Sequence, residues 1–251
     1  MPKLYGIYKS FDEIDFAHLP QAFAIKTNHD CGGVVLVPNK QEFLSDQARF
    51  EDARRKIQQH LATNFYTLFR EWHYKDIEPR VFIEELLGAD SRESSTKTFE
   101  NDDFHNKIAQ QKGLDSSSAK VDSTSPQPLE STFAYKAPTD YKCHTFGDKI
   151  SHITAILDKF TNQTEIAMDT NWRKMPFDFE KKASNPPAKP HTLTLIINIA
   201  QTLASPFSYV RVDLYLINSG IIVGELTFTP TGGTEKFTPN EWDRKLGDLW
   251  R

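Results

Sequence analysis

Cysteine is scarce in this chain, and its scarcity excludes two kinds of small fold. Cys31 and Cys143 are the only cysteines among 251 residues, too few for a disulfide framework or a cysteine-rich zinc cluster. A chain that does not depend on disulfides suits a reducing compartment, so we expect a cytoplasmic protein. An excess of charge of one sign is also absent, since the net charge is −4 with acids and bases mixed along the chain. This balance argues against a nucleic-acid backbone as the main partner.

Long hydrophobic runs are absent as well. No apolar run approaches the ~20 residues that a membrane span needs, and the start, Met-Pro-Lys-Leu-Tyr, lacks the features of a signal peptide. Apolar residues make up only 38% of the chain, below the share usual in globular domains, so part of the chain is predicted not to pack. Residues 88–138 are rich in Ser, Thr, Asp, Lys and Gln, and we predict a largely disordered insertion there.

The remaining sequence combines short β-rich segments with amphipathic helical stretches. Strands are predicted at 20–26, 34–37, 80–87 and 150–157, and helices at 41–72, 192–204 and 239–250. In the first helical stretch the apolar residues recur at helical spacing and form one stripe, made of Phe50, Ala53, Ile57 and Leu61. This pattern predicts an α+β fold with mostly antiparallel strands and segregated helices. The length allows one large domain or two small lobes, and the insertion separates residues 1–87 from residues 139–251.

A β-hairpin is predicted near the C-terminus. Two β-rich segments, 207–217 and 221–229, flank a turn of Asn, Ser and Gly. If the loop comprises residues 218–220, Asp213 lies directly opposite Glu225, and the two Cβ atoms are ~5 Å apart on one face of the hairpin. A change of register by one residue would remove this pairing.

The same register places Arg211 opposite Thr227 on the face that carries the two acids. Two opposed carboxylates repel each other unless a cation lies between them. The pattern therefore predicts a Mg²⁺ site with Asp213, Glu225 and Thr227 as ligands, while Arg211 holds a transferring phosphate. The alternative interpretation is a solvated polar face of an edge hairpin.

A lysine followed by a glycine-containing loop stands near the N-terminus. Lys26 ends an apolar segment, and Gly32 and Gly33 close the loop that follows. Glycines let backbone N–H groups approach an anion, and a lysine supplies a compact charge for phosphate, so the pattern predicts a phosphate site. Adjacent glycines are also typical of an ordinary tight turn. His29 and Cys31 lie in the same loop, but the third group that would orient a catalytic pair is not evident, so we assign them no catalytic role.

Two further sites complete the candidate residues. Glu84 and Glu85 stand at the end of a β-rich segment, where acids can accept hydrogen bonds from ribose hydroxyls while the adjacent backbone pairs with an adenine edge. A solvated strand end is the competing interpretation of these acids. Lys142, within Asp140-Tyr-Lys, is a second candidate phosphate lysine.

Taken in order, these motifs resemble the ATP-grasp ligases, and in particular the TupA-like ATP-grasp proteins of cell-surface polysaccharide and teichuronopeptide biosynthesis. The order is a lysine before a glycine-containing loop, acids closing a hinge strand, Arg-x-Asp, and Glu-x-Thr before Pro-x-Gly. The matching phrases cover most of the chain outside 88–138: Tyr5-Gly-Ile-Tyr, Phe11-Asp-Glu-Ile-Asp-Phe, Leu19-Pro, Ile25-Lys-Thr-Asn-His, Asp140-Tyr-Lys, Arg211-Val-Asp-Leu-Tyr and Gly224-Glu-Leu-Thr-Phe.

The resemblance implies an ATP-grasp fold whose two lobes hold the nucleotide between them. It implies that Lys26 and Lys142 meet the phosphates of ATP and that Glu84 or Glu85 lies near adenine and ribose. The chain begins almost at the nucleotide-binding lobes, so the segment that usually precedes them in the family is expected to be short or missing.

The resemblance also implies a reaction and a metal. Asp213 and Glu225 are expected to bind Mg²⁺, whereas Thr227 stands where many ATP-grasp ligases have Asn. In the implied reaction a carboxylate attacks the γ-phosphate of ATP to give an acyl phosphate, and an amine then displaces phosphate. Arg211 and Lys26 are the expected catalytic residues, because they neutralise charge on the transferring group. The expected partners are a small-molecule or glycan carboxylate and an amine.

Three other functions fit parts of the sequence. A glycosyltransferase of the same pathways is one, but the Asp-x-Asp motif common in metal-dependent members does not occur. A nucleotide-binding module without turnover is the second, and it predicts ATP binding with no phosphate release. An interaction protein that uses the Ser- and Thr-rich insertion is the third, and it leaves the acidic hairpin unexplained.

Overall fold

The computed structural model describes residues 1–88, 135, 137–157, 163–217 and 220–250. The chain divides into two compact units, an N-terminal unit of Lys3–Lys136 and a C-terminal unit of Ala137–Arg251 with Met1–Pro2. Nearly all of the insertion predicted at 88–138 lies outside the described residues. Each unit has its own antiparallel sheet and its own core.

The described part of the N-terminal unit contains a four-stranded sheet and three α-helices. The strands, in spatial order β1-β4-β2-β3, are β1 (Leu4–Tyr8), β2 (Phe23–Thr27), β3 (Val34–Val37) and β4 (Val81–Glu85). The helices are α1 (Lys40–Ser45), α2 (Gln47–Leu61) and α3 (Phe65–Phe69). All three strand pairs are antiparallel.

Three helices replace the single helical stretch that the sequence predicts at 41–72. Each begins at a side chain that accepts a hydrogen bond from the backbone N–H three residues later, and these caps are Asn39, Asp46 and Asn64. Such residues favour helix starts because their oxygens satisfy N–H groups that the first turn leaves without partners. The three capping residues therefore divide into separate helices a stretch that hydrophobic periodicity alone predicts to be one helix.

The predicted stripe on α2 packs on one face of the N-terminal sheet. Ala53 and Ile57 are buried, and Phe50 and Leu61 are partly buried against the same core, which confirms the predicted core face. Side chains alternate between the two faces along each strand, so Lys26, which follows a core residue of β2, lies on the face opposite α2. The sheet thus presents an apolar side to α2 and a side with charged residues away from it.

The C-terminal unit contains a five-stranded antiparallel sheet. The strands, in spatial order β7-β6-β5-β8-β9, are β5 (Thr139–Phe146), β6 (Lys149–Leu157), β7 (Thr164–Met168), β8 (Tyr209–Ile217) and β9 (Gly220–Thr227). The α-helices in the described residues of this unit are α4 (Leu193–Ala204) and α5 (Glu241–Gly247). Strand β7 has no counterpart among the sequence-based predictions.

The two faces of the C-terminal sheet differ in chemistry. One face packs against α4, whose buried residues are Leu193, Ile196, Ala200 and Ala204. The other face carries the charged and polar residues of alternate positions, and we call it the polar face: Asp140, Lys142, His144, His152, Thr154, Arg211, Asp213, Glu225 and Thr227. Part of it is covered by an aromatic cluster that includes Phe177 and Phe179. Within the described part of the chain, none of the helices combines the length and the apolar character needed to cross a bilayer.

Candidate functional site

The hairpin of β8 and β9 pairs Asp213 with Glu225 and Arg211 with Thr227, which confirms the predicted cross-strand pairing. The Nε and Nη2 groups of Arg211 donate to the two carboxylate oxygens of Asp213 at 2.7 and 2.8 Å. Nη2 also donates to Glu225 Oε1 and to Thr227 Oγ1, each at 3.0 Å. Arg211 is thus the cation that separates the two opposed carboxylates.

The register nearer the turn differs from the prediction. Gly220 belongs to β9 and pairs with Ile217, so the paired segment starts one residue earlier than expected. A β-bulge at Gly224 then adds one unpaired residue to β9, and this extra residue restores the predicted partner of Asp213. A Cβ atom at Gly224 would lie 2.5 Å from the ring of Tyr215, so glycine is needed for the close approach of that ring.

Lys142 completes the charged cluster from the neighbouring strand. It is the Cα partner of Asp213 in the β5–β8 pair, and its amine forms ion pairs with Asp213 and, at 3.2 Å, with Asp140. The side chain of Asp213 is only 1% exposed and that of Arg211 13%, whereas that of Glu225 is 60% exposed. The cluster is therefore buried at its centre and open at Glu225.

Burial and charge act in opposite directions in this cluster. Burial raises the pKa of Asp213, and the charges of Lys142 and Arg211 oppose that rise. Burial alone would lower the pKa of Arg211, but the charge and hydrogen bonds of Asp213 raise it overall, so the guanidinium stays charged. Arg211 and Lys142 are thus two cations held beside three carboxylates, Asp140, Asp213 and Glu225, so a divalent cation would have to bind before the cluster attracts an anionic phosphate.

The donor set suits a Mg²⁺ ion that arrives with other ligands. The described residues contain no group of three or more His, Cys, Asp or Glu side chains that could hold a metal by themselves. Mg²⁺ in nucleotide sites usually takes one or two carboxylates, with waters and phosphate oxygens supplying the rest. Glu225 is accessible, and Thr227 Oγ1 lies 2.6 Å from its Oε1. Both oxygens of Asp213 are held by Arg211 and Lys142, so Asp213 would join the ion only by exchanging one of these contacts.

Two histidines extend the polar face beyond Arg211. Residues His152, His144 and Arg211 are successive Cα partners across β6, β5 and β8, and the two imidazole rings stack with centroids 4.1 Å apart. Sequence reasoning missed these residues. The signal that could have found His144 is its position two residues after Lys142, which places both side chains on one face of the strand. The residues beside them can be named only when the neighbouring strands are known.

In the N-terminal unit, Lys26 and Glu84 form an ion pair between β2 and β4. Glu84 is thus placed beside the predicted phosphate lysine. Glu85 is not, because its side chain accepts a hydrogen bond from the backbone N–H of Lys3 at 3.2 Å. Of the two acids proposed for the adenine and ribose contact, only Glu84 shares a face with Lys26.

The loop after β2 contains Gly32 and Gly33, as predicted, in a tightly held conformation. Gly32 has a φ of +98°, and a Cβ atom at Gly33 would overlap the Thr27 hydroxyl. That hydroxyl bonds to Asp30, whose carboxylate pairs with His60 on α2. Because the side chains of His60 and Asp30 are buried, their contact fixes the loop to α2.

His29 is an anchor of the same loop and not part of a nucleophile pair. Its Nε2 donates to the carbonyl oxygens of His60 and Thr63, each at 3.1 Å, and the ring is buried, whereas Cys31 is exposed. Sequence reasoning missed the Asp30–His60 pair, since 30 residues separate the two and no local pattern links them.

A comparison with known protein families identifies the family of this chain. The model of the TupA-like ATPgrasp family matches residues 2–108 and 128–251. The chain belongs to the TupA-like ATPgrasp family. Residues 109–127, which the family model leaves unmatched, lie within the predicted insertion.

As a TupA-like ATPgrasp protein, the chain has two antiparallel sheets with helices, as the sequence predicts. It is similar to solved structures of D-alanine–D-alanine ligase from Bacillus anthracis. One, complexed with ATP, is 13% identical with a TM-score of 0.37, covering 90% of this chain and 47% of that chain. Another is 17% identical with a TM-score of 0.40, covering all of this chain and 60% of that chain. The chain thus spans about half the length of these structures, and no curated protein matches it.

Proposed function

We propose that this chain binds Mg–ATP and catalyses an ATP-dependent ligase reaction, in which a carboxylate is activated as an acyl phosphate and joined to an amine. The single observation that carries the proposal is the cluster on the polar face of the C-terminal sheet. There Arg211 bridges Asp213 and Glu225, and Lys142 adds a second cation. Membership of the TupA-like ATPgrasp family supports the same assignment.

In this proposal Asp213 and Glu225 hold Mg²⁺, with Thr227 beside them. The bound ion would neutralise charge on the phosphate oxygens of ATP. Arg211 donates Nε and Nη2 to the carboxylates and to Thr227, so the guanidinium is fixed in orientation before any phosphate arrives. Nη1 is the group that would hold the transferring phosphate. Lys142 is tied to Asp213 and Asp140 and serves as a second phosphate contact.

Lys26 serves as the phosphate contact of the N-terminal unit. Its pairing with Glu84 holds the amine on the side of the sheet away from α2. The glycine loop that follows supplies backbone N–H groups for an anion, and the buried Asp30–His60 pair keeps that loop in place. Glu84 is then the acid available to a ribose hydroxyl.

The experiment is a phosphate-release screen with ATP and Mg²⁺ against uronic acids, amino acids and short glycans, followed by product analysis. We expect release of ADP and phosphate with at least one carboxylate and amine pair, and a product with a new amide bond. Asp213→Asn and Glu225→Gln should each abolish turnover with the fold intact, whereas Glu241→Gln, an exposed acid of the same unit, should leave it unchanged. Normal turnover in either variant of the hairpin would remove the metal assignment.

The finer proposal concerns the pathway. We propose that the carboxylate is a uronic acid or similar group of a surface polysaccharide, because this is what the family resemblance implies. Products that contain a new glycosidic bond would instead identify a glycosyltransferase. ATP binding without phosphate release for any acceptor would identify a nucleotide-binding module without turnover.

A further inference from the structure

The stacked histidines on the polar face have a defined hydrogen-bonding pattern. His144 Nδ1 lies 3.1 Å from the hydroxyl oxygen of Tyr209. Among the described residues this is the only hydrogen bond of the His144 ring, and the side chain is partly exposed. Nε2 is therefore the ring atom that remains for a substrate, one cross-strand position from Arg211.

His152 supports the ring of His144 from behind. It is 1% exposed, its Nδ1 lies 2.9 Å from Ser151 Oγ, and its ring meets Phe177 edge-on at 5.3 Å. Burial lowers the pKa of His152 to about 3, so this ring is uncharged at neutral pH. His152 is thus a flat, neutral surface that fixes the plane of His144.

We propose that His144 accepts the proton that the amine nucleophile loses in the ligase reaction, with His152 and Tyr209 as positioning residues. This inference rests on the proposed function. The amine nitrogen forms a bond to the acyl carbon, the bond from that carbon to the phosphate oxygen breaks, and phosphate leaves with the electron pair. The N–H proton of the amine passes to Nε2 of His144. This step requires the neutral tautomer in which Nδ1 carries the proton and donates it to the Tyr209 oxygen.

Electrostatics explain why such a base would act only when the site is loaded. Burial, then His152 and the charges of Arg211 and Lys142, hold the pKa of His144 well below its usual value. Tyr209 and Asp213, the latter two residues from Arg211 on the same face of β8, are the other titratable groups beside it on the strands β5, β6 and β8. A bound phosphate anion offsets the two cations, so the pKa of His144 should rise towards the operating pH, where a general base is most effective.

The tautomer is measured first, by NMR of the full chain with ¹⁵N-labelled histidine. The His144 resonances are assigned by their loss in His144→Gln, and the probe is Mg–ADP with inorganic phosphate. We expect the Nδ1–H tautomer in the free chain and an upward shift of the His144 pKa by ~1 unit or more when the probe binds. His152 should not titrate above pH 5 in either state. A proton on Nε2 of the neutral ring, or an unchanged pKa with the probe bound, would overturn the proposal.

Kinetics then separate a base from a structural residue. With the carboxylate found in the phosphate-release screen, His144→Gln should still form the acyl phosphate, detected by trapping with hydroxylamine, while amide formation falls ~10²-fold or more. An equal loss of both steps would assign His144 to structure or nucleotide binding instead. Absence of Mg–ADP binding to the unaltered chain would contradict the proposed function, so the two failures are distinguishable.

Discussion

Replacing Arg211 by Met tests whether the buried cluster is held together by that residue. The change removes two hydrogen bonds to Asp213, one to Glu225 and one to Thr227. Removing one partner of a buried ion pair typically costs about 3–5 kcal/mol, because the remaining charge is left in a low-dielectric site. Asp213 keeps Lys142 as a partner and Glu225 is largely exposed, so we expect a loss near the lower end, about 3 kcal/mol.

The assay is urea unfolding followed by tryptophan fluorescence, to which Trp172, Trp242 and Trp250 of the C-terminal unit contribute beside Trp72 of the N-terminal unit. With a slope of about 2 kcal/mol per molar urea, a loss of about 3 kcal/mol lowers the midpoint by about 1.5 M. Arg244→Met is the matched control, since the Arg244 side chain is 89% exposed and exposed ion pairs contribute little. If Arg211→Met shifted the midpoint no further than this control, Arg211 would not be what stabilises Asp213.

The pH dependence of the same variant has a definite sign. Burial already raises the pKa of Asp213, and loss of Arg211 should raise it further. A folded-state pKa above the unfolded value means that the folded chain binds more protons, so stability falls as the pH rises through that window. The loss in the free energy of unfolding caused by Arg211→Met should therefore be smaller at pH 5 than at pH 7. Adding Asp213→Asn should recover part of the lost stability and remove this pH dependence. If the stability loss of Arg211→Met grew as the pH fell, the argument would be contradicted.

Three further predictions concern the strand β2 with the glycine loop that follows it, and the thiols. Lys26→Met should weaken ATP binding by roughly 10- to 100-fold, because hydrogen bonds to charged groups contribute about 1.5–3 kcal/mol, and titration calorimetry measures the loss. Gly33→Ala should weaken ATP binding and lower the thermal midpoint, since the added Cβ overlaps the hydroxyl of Thr27 at the end of β2. A thiol reagent should label the exposed Cys31 in the folded chain and Cys143 only after unfolding, because Cys143 is buried and burial raises the pKa of its thiol.

Each of these has a control within the chain. Lys149, at the exposed start of β6, can be replaced by Met with no expected effect on ATP affinity. A Cβ atom at Gly247 meets nothing within 4 Å, so Gly247→Ala should behave like the unaltered protein. Unchanged ATP affinity in Lys26→Met, or in Gly33→Ala, would count against the loop as a phosphate site. Labelling of both thiols at equal rates would show that Cys143 is accessible.

Sequence reasoning reached those parts of the fold that depend on local patterns. The stripe on α2 follows from helical periodicity, and the pairing of Asp213 with Glu225 follows from hairpin chemistry. That pairing was predicted from a three-residue loop, whereas the structure reaches it through an earlier start of β9 and the bulge at Gly224. The position of a bulge depends on packing between strands, which here involves the ring of Tyr215.

What sequence reasoning could not reach depends on contacts between distant segments. The Asp30–His60 pair, the stacking of His144 on His152 and the bidentate contact of Arg211 with Asp213 become visible only when strands and helices are placed side by side. Strand β7 was missed because Thr164–Met168 is a five-residue segment at one edge of its sheet, where few residues carry the alternating pattern.

The bulge at Gly224 has a consequence for how this hairpin tolerates change. On the turn side of it, Ile221 and Val223 pack into the apolar core, and on the far side Glu225 and Thr227 belong to the charged cluster. An irregularity of this kind fixes register where it occurs. The length of the loop at the tip can therefore vary while Asp213 and Glu225 stay paired, so residues inserted at the tip would leave the charged cluster undisturbed.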